Sequence, residues 1–186
     1  MVLYINACVR EDSRTDKIAR ALLGKLGTHY QELYLPDEII TSLDETALNK
    51  RTDLIENGRY DDPMFEYAKT FSKADIIVIS APFWDLSFPS ILKVYLENIY
   101  VIGIVSQYGS DGKPHGLCKA KKLYYVTTAG GSYTPDYSYD YIKELATLHF
   151  GIQQTELIKA EMLDVDGFDA DEIVNDTIKQ INLADY

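Results

Sequence analysis

The chain has 186 residues, 46% hydrophobic and 25% charged, with a formal net charge of −11 from 29 acidic and 18 basic side chains. That length suits a single domain, residues 1–186, with a core of its own, and the balance is globular rather than disordered or fibrous. So acidic a chain lacks the basic footprint that nucleic acid or an anionic membrane demands, and neither is expected as a partner. Met1 to Cys8 is apolar, but Arg10 ends the run too early for a signal peptide or a membrane span. Residues 2–7 are expected instead to form a buried strand. Residues 13–26 follow as a helix with Ile18, Leu22 and Leu26 on one face, and residues 30–35 as a second strand.

Residues 41–57 carry a helical pattern, opened by a capping box of Ser42 and Glu45 and closed by Asn57-Gly58. A helix over 63–73 leads into residues 75–81, where Ile76-Ile77-Val78-Ile79 marks a central parallel strand buried on both faces. Ser87 and Pro89 suit the start of a helix reaching about Ile102, with Phe88, Leu92, Tyr95 and Ile99 on its core stripe. Ile91, Val94 and Val101 fall off that stripe and form a second apolar face that something should cover. A fourth strand over 123–128, a helix over 137–150, a fifth strand over 155–162 and a last helix capped by Asp169 and Glu172 complete the chain. Strands alternating with helices predict an α/β fold, a flavodoxin-like doubly wound five-stranded parallel sheet with helices on both faces. Cys8 and Cys118 form neither a disulfide framework nor a metal spacing, which suits a reducing, cytoplasmic setting.

In such sheets ligands bind beyond the carboxyl ends of the strands. After the first strand, Ser13 and Thr15 bring hydroxyls and open N–H groups to a helix start, where a single phosphate would fit. Equally, Ser13 reads as a simple N-cap paired with Asp16. After the third strand, Phe83, Trp84 and Phe88 crowd one loop. A flat aromatic ligand would stack there; a hydrophobic plug or a subunit interface would use the same residues. After the fourth strand, Gly130-Gly131 lets the backbone approach a ligand, or forms an ordinary tight turn.

Pro82-Phe83-Trp84-Asp85-Leu86-Ser87-Phe88-Pro89-Ser90-Ile91-Leu92-Lys93 resembles a signature of the FMN-dependent NADH-azoreductases and NAD(P)H-quinone reductases. The order and spacing of Gly103-Ile104-Val105, Tyr108, Gly116-Leu117, Lys121-Lys122 and Thr127-Thr128-Ala129-Gly130-Gly131 are similar to that family as well. The resemblance implies non-covalent FMN, its phosphate on Ser13, Arg14 and Thr15 and its ring against Phe83, Trp84, Asp85 and Leu86. Thr128, Ala129, Gly130 and Gly131 would line the pyrimidine end. It implies no catalytic side chain, NADH or NADPH as donor, a small-molecule electron acceptor such as a quinone or azo compound, and a homodimer. Tyr133 and His115 are the substrate-binding candidates. Asp85 stands where Asn is usual, Tyr133 where some members have His, and Ser106 where Phe is common, which puts substrate preference in doubt. Two rivals share the fold type. An electron carrier would need no wall such as residues 103–122 over the ring, and a receiver domain would need an Asp where the third strand ends Ser80-Ala81-Pro82.

Overall fold

The apolar runs become strands of one sheet. The computed structural model describes residues 1–134 and 136–183. Its strands are β1 (Val2–Asn6), β2 (Tyr30–Tyr34), β3 (Ile76–Ser80), β4 (Ser106–Tyr108), β5 (Pro114–Gly116), β6 (Lys122–Thr128) and β7 (Gln154–Ala160). Five of them form a wholly parallel sheet in the order β2-β1-β3-β6-β7. Every residue of β1 and β3 is buried, which is why those runs are apolar on both faces. The helices are α1 (Arg14–Leu26), α2 (Glu45–Glu56), α3 (Glu66–Lys73), α4 (Ser90–Ile99), α5 (Tyr139–Glu144) and α6 (Ala170–Gln180).

Strand alternation sorts the core into two layers. Leu3, Ile5, Ile77, Ile79 and Leu123 pack with Phe71, Leu92, Tyr95 and Phe150, under α3, α4 and α5. Val2, Tyr4, Ile76, Val78 and Val126 pack with Ile18 and Leu22 of α1 and Val174 of α6. The sheet is therefore doubly wound, and the strand order reverses between β1 and β3. Loops leaving those two strands diverge to opposite faces and open a crevice at the carboxyl edge.

Several local expectations are corrected. Helix α2 starts at Glu45 on Asp44, whose carboxylate accepts from the Ala47 amide at 2.8 Å, so Ser42 caps nothing there. Helix α4 starts at Ser90, without a side-chain cap from Ser87, and ends at Ile99. Val101 lies beyond it and is buried in the core, so it adds nothing to an outer face. Residues 137–150 split into α5 and a π-helical turn, Leu145–Phe150. Residues 103–122 contain the antiparallel hairpin β4–β5, which no sequence pattern announced. That hairpin lies hard against the π turn: a Cβ on Gly116 would sit 2.0 Å from the Gly151 nitrogen and the Phe150 carbonyl carbon. Glycine is needed there for close approach of two backbones, and Cys118 completes the junction by donating its amide to the Phe150 carbonyl at 3.2 Å.

Candidate active site

A polar network braces the crevice from below. Asn6, the last residue of β1, donates from its side chain to Asp16 at 3.0 Å and to Glu32 at 3.1 Å, and accepts from the Cys8 amide at 3.0 Å. The Ser80 hydroxyl, at the end of β3, donates to Asn6 Oδ1 at 3.2 Å. Tyr4 donates to Asp16 as well, and Arg20 bridges Asp16 and Glu32. Burial pushes the Cys8 thiol above its ordinary pKa, so it stays protonated and inert in this packing.

Above the network, the loops after β1, β3, β6 and β7 enclose a cavity of about 340 Å³, a size typical of small-ligand sites. The first wall is the start of α1. The Ser13 hydroxyl accepts from the Asp16 amide at 3.3 Å, so it is the N-cap. It also lines the cavity, as do Arg14 and Thr15, so the two roles coexist. By helix geometry the amides of the first turn have no carbonyl four residues back, and they point outward with the positive end of the dipole. Thr15 is buried, its hydroxyl 2.6 Å from that of Thr128. Two hydroxyls sharing one hydrogen bond leave one proton free to donate elsewhere.

The second wall is the loop after β3. The Phe83 amide donates to the Thr128 carbonyl at 2.9 Å, tying this loop to the one after β6. Trp84 and Ser87 exchange both main-chain hydrogen bonds, at 3.0 and 2.8 Å, around Asp85 and Leu86. Those two have φ of 49° and 68°, the left-handed pair that a type I′ turn requires. Asp, like Asn, tolerates that conformation; Leu adopts it at a cost of about 1–2 kcal/mol. Asp85 thus suits the turn and brings a carboxylate to its tip. The turn keeps Trp84 at the cavity and holds Leu86 out in solvent, 46% exposed.

The third wall joins Thr128, Ala129 and Gly130 to Leu163 and Asp164 from the loop after β7. The amides of Leu163 and Asp164 donate to the carbonyls of Ala129 and Gly130, at 3.2 and 2.8 Å. The Asp164 carboxylate lies over Gly130, where a Cβ would come 2.5 Å from Oδ2.

Of the expected residues, Ser13, Arg14, Thr15, Phe83, Trp84, Thr128, Ala129 and Gly130 line this one cavity. Asp85, Leu86 and Gly131 adjoin it without lining it, and their amides, with that of Gly130, carry no hydrogen bond among the described residues. Tyr133 stands behind Phe83, ring centroids 4.5 Å apart, with its hydroxyl engaged by Asp136 and Ser138. His115 lies on β5, 3.8 Å from Asp111 and outside the cavity lining. Arg10, Asp12, Leu163 and Asp164 were not anticipated. The signal for the last two was the glycine-closed stretch, Asp164 to Gly167, that follows β7 at the same sheet edge. No cluster of metal-ligating side chains occurs among the described residues.

A parallel sheet of this order, with its cavity at the switch point, defines a flavodoxin-like protein. Residues 1–183 match the family described as having a flavodoxin-like fold. FMN-dependent NADH:quinone oxidoreductase of Clostridium beijerinckii is 37% identical, with 95% of this chain and 93% of that protein covered. FMN-dependent NADH:quinone oxidoreductase 2 of Clostridium acetobutylicum is 36% identical, covering 96% and 94%. Among solved structures, an azoreductase from Bacillus anthracis str. Sterne has a TM-score of 0.83 at 22% identity, covering 96% and 94%. An FMN-dependent NADH-azoreductase from Bacillus anthracis str. Ames Ancestor, in complex with FMN, has a TM-score of 0.80 at 24% identity, covering 96% and 93%. These two bear on the fold. The chain belongs to the flavodoxin-like family that includes the FMN-dependent NADH:quinone oxidoreductases.

Proposed function

We propose that this chain is an FMN-dependent oxidoreductase that takes two electrons from NADH and passes them to quinones, azo compounds or related small acceptors. The observation that carries this reading is the single cavity where a helix N-terminus, an aromatic loop and a glycine turn converge. The donor set fits FMN. The open amides of Arg14 and Thr15 and the hydroxyls of Ser13 and Thr15, with two nearby guanidiniums, suit one phosphate group. Phe83 and Trp84 offer apolar surface to a flat ring, and the uncommitted amides of Asp85, Leu86, Gly130 and Gly131 suit its polar edge. FMN, when bound, supplies the hydride and electron chemistry. The chain's own work is to fix the cofactor at its phosphate end, keep the network under β1 and β3 rigid, and leave the outer side of the ring open to donor and acceptor in turn. We place Tyr133 as support for Phe83: burial raises its phenol pKa, so the group stays neutral. His115 is offered on the outer hairpin as an acceptor-side group.

The test uses Trp84, the only tryptophan. FMN added to the apoprotein is expected to quench its emission and saturate at one flavin per chain. Trp84→Phe should keep the affinity, because stacking needs a ring but not an indole, whereas Trp84→Ala should weaken it about three- to tenfold. Equal affinity and an unchanged flavin spectrum in the Ala variant would remove Trp84 from the site. Oxidation of NADH coupled to quinone reduction by the flavin-loaded protein completes the test; its absence would leave a flavin carrier.

The same reading includes a homodimer in a reducing, cytoplasmic setting, which unpaired Cys8 and Cys118 suit. A groove of about 440 Å³ runs between Leu43, Leu48, Leu96, Tyr141 and Leu145, with Arg51, Lys93 and Glu97 also in its lining, and Trp84, Leu86 and Tyr137 are exposed. Light scattering is expected to give twice the chain mass at micromolar concentration, and a monomer there would exclude the dimer.

A further inference from the structure

Two arginines border the candidate phosphate end, and they are not equivalent. Arg14 Nη1 donates to Asp164 Oδ1 at 2.9 Å and to the Leu163 carbonyl at 3.4 Å. Arg10 lines the same cavity, yet its side chain has no hydrogen-bond or ion-pair partner among the described residues. The Asp164 carboxylate is placed, not incidental. Its amide is tied to the Gly130 carbonyl at 2.8 Å, and its side chain is engaged by Arg14. The pair is well hydrated, with side chains 44% and 71% exposed, so it contributes little to holding the fold together. Its consequence is electrostatic and local.

We propose that Asp164 is a specificity-determining residue that weakens this site's preference for a phosphorylated flavin, by occupying Arg14 and leaving Arg10 as the cation available to the phosphate. The inference rests on the reading of the cavity as an FMN site. A phosphate arriving at the start of α1 meets a guanidinium already paired with a carboxylate. It must either share Arg14 with Asp164 or displace it, and in both cases two anionic groups lie close together. Arg10 imposes no such competition. Asp12 also lines the cavity and adds negative charge there, which makes the uncommitted cation matter more.

The experiment titrates flavin-free protein with FMN and with riboflavin, which lacks the phosphate, following flavin fluorescence. Asp164→Asn keeps the size of the side chain and the main-chain tie to Gly130 while removing the charge. It is expected to tighten FMN about fivefold at low salt and to leave riboflavin unchanged. Arg10→Gln is expected to weaken FMN more than Arg14→Gln does, and the cost of Arg14→Gln should grow in the Asp164→Asn background. A structural disturbance of the loop would move both flavins together and would overturn the proposal. So would an Asp164→Asn variant with an unchanged or lower preference for FMN; if the parent protein still prefers FMN, the cofactor reading survives that result. A parent protein that binds neither flavin overturns both.

Discussion

Gly116→Ala is expected to destabilise the protein by about 3 kcal/mol, lowering its melting temperature by roughly 6–12 °C. The added Cβ would fall 2.0 Å from the Gly151 nitrogen and the Phe150 carbonyl carbon and 2.3 Å from the Phe150 oxygen. All three are backbone atoms, so no rotamer change relieves the contact. The hairpin β4–β5 would have to leave the π turn, which breaks the bond from the Cys118 amide to the Phe150 carbonyl. Phe150 itself stacks edge-on against Phe71, ring centroids 4.9 Å apart, so the disturbance enters the core. Gly24→Ala serves as the control. Its Cβ meets nothing within 4 Å on a helix, and it should stabilise by about 0.5–1 kcal/mol. A Gly116→Ala melting temperature within a degree or two of the parent would show that the two backbones do not pack so closely.

The same junction shows where sequence reasoning stops. The sheet was legible because β1 and β3 are buried on both faces, and a run such as Ile76 to Ile79 has no other economical fate. The hairpin was not, because its strands are three residues long and carry Gln107 and His115 outward. Nothing local distinguishes the π turn from an ordinary helix; its wider winding shows in the Gly151 amide, which donates to the Ala146 carbonyl five residues back. Helix α2 was misread by one candidate cap among several: Ser42 and Asp44 both precede Glu45, and only three-dimensional context selects Asp44. At the site, each loop was visible because its residue types are unusual for a sheet edge. The relation between loops was not. Arg14 and Asp164 are 150 positions apart, and Thr15 and Thr128 are 113 apart, so neither pairing leaves a trace in spacing.

Ser13→Ala combined with Thr15→Val is expected to weaken FMN binding on the order of a hundredfold while riboflavin binding changes little. Hydrogen bonds to a charged group contribute about 1.5–3 kcal/mol each, and about 1.4 kcal/mol is tenfold in affinity, so the loss of two reaches that scale. Ser13 is also the N-cap of α1, so the variant should lose about 1 kcal/mol of stability and melt a few degrees lower. Valine keeps the shape of Thr15, which is almost wholly buried, and so avoids a cavity. It strands the Thr128 hydroxyl, but Thr128 is only partly buried and can turn to water. Stability and phosphate recognition are therefore read by different measurements. Thermal melting reports the cap, and the ratio of FMN to riboflavin affinity reports the phosphate contact. If the variant melts lower and yet keeps its FMN-to-riboflavin ratio, Ser13 and Thr15 serve the helix alone, and the phosphate must be held by main-chain amides and Arg10. If the ratio collapses with the fold intact, the hydroxyls at the start of α1 are the phosphate's partners.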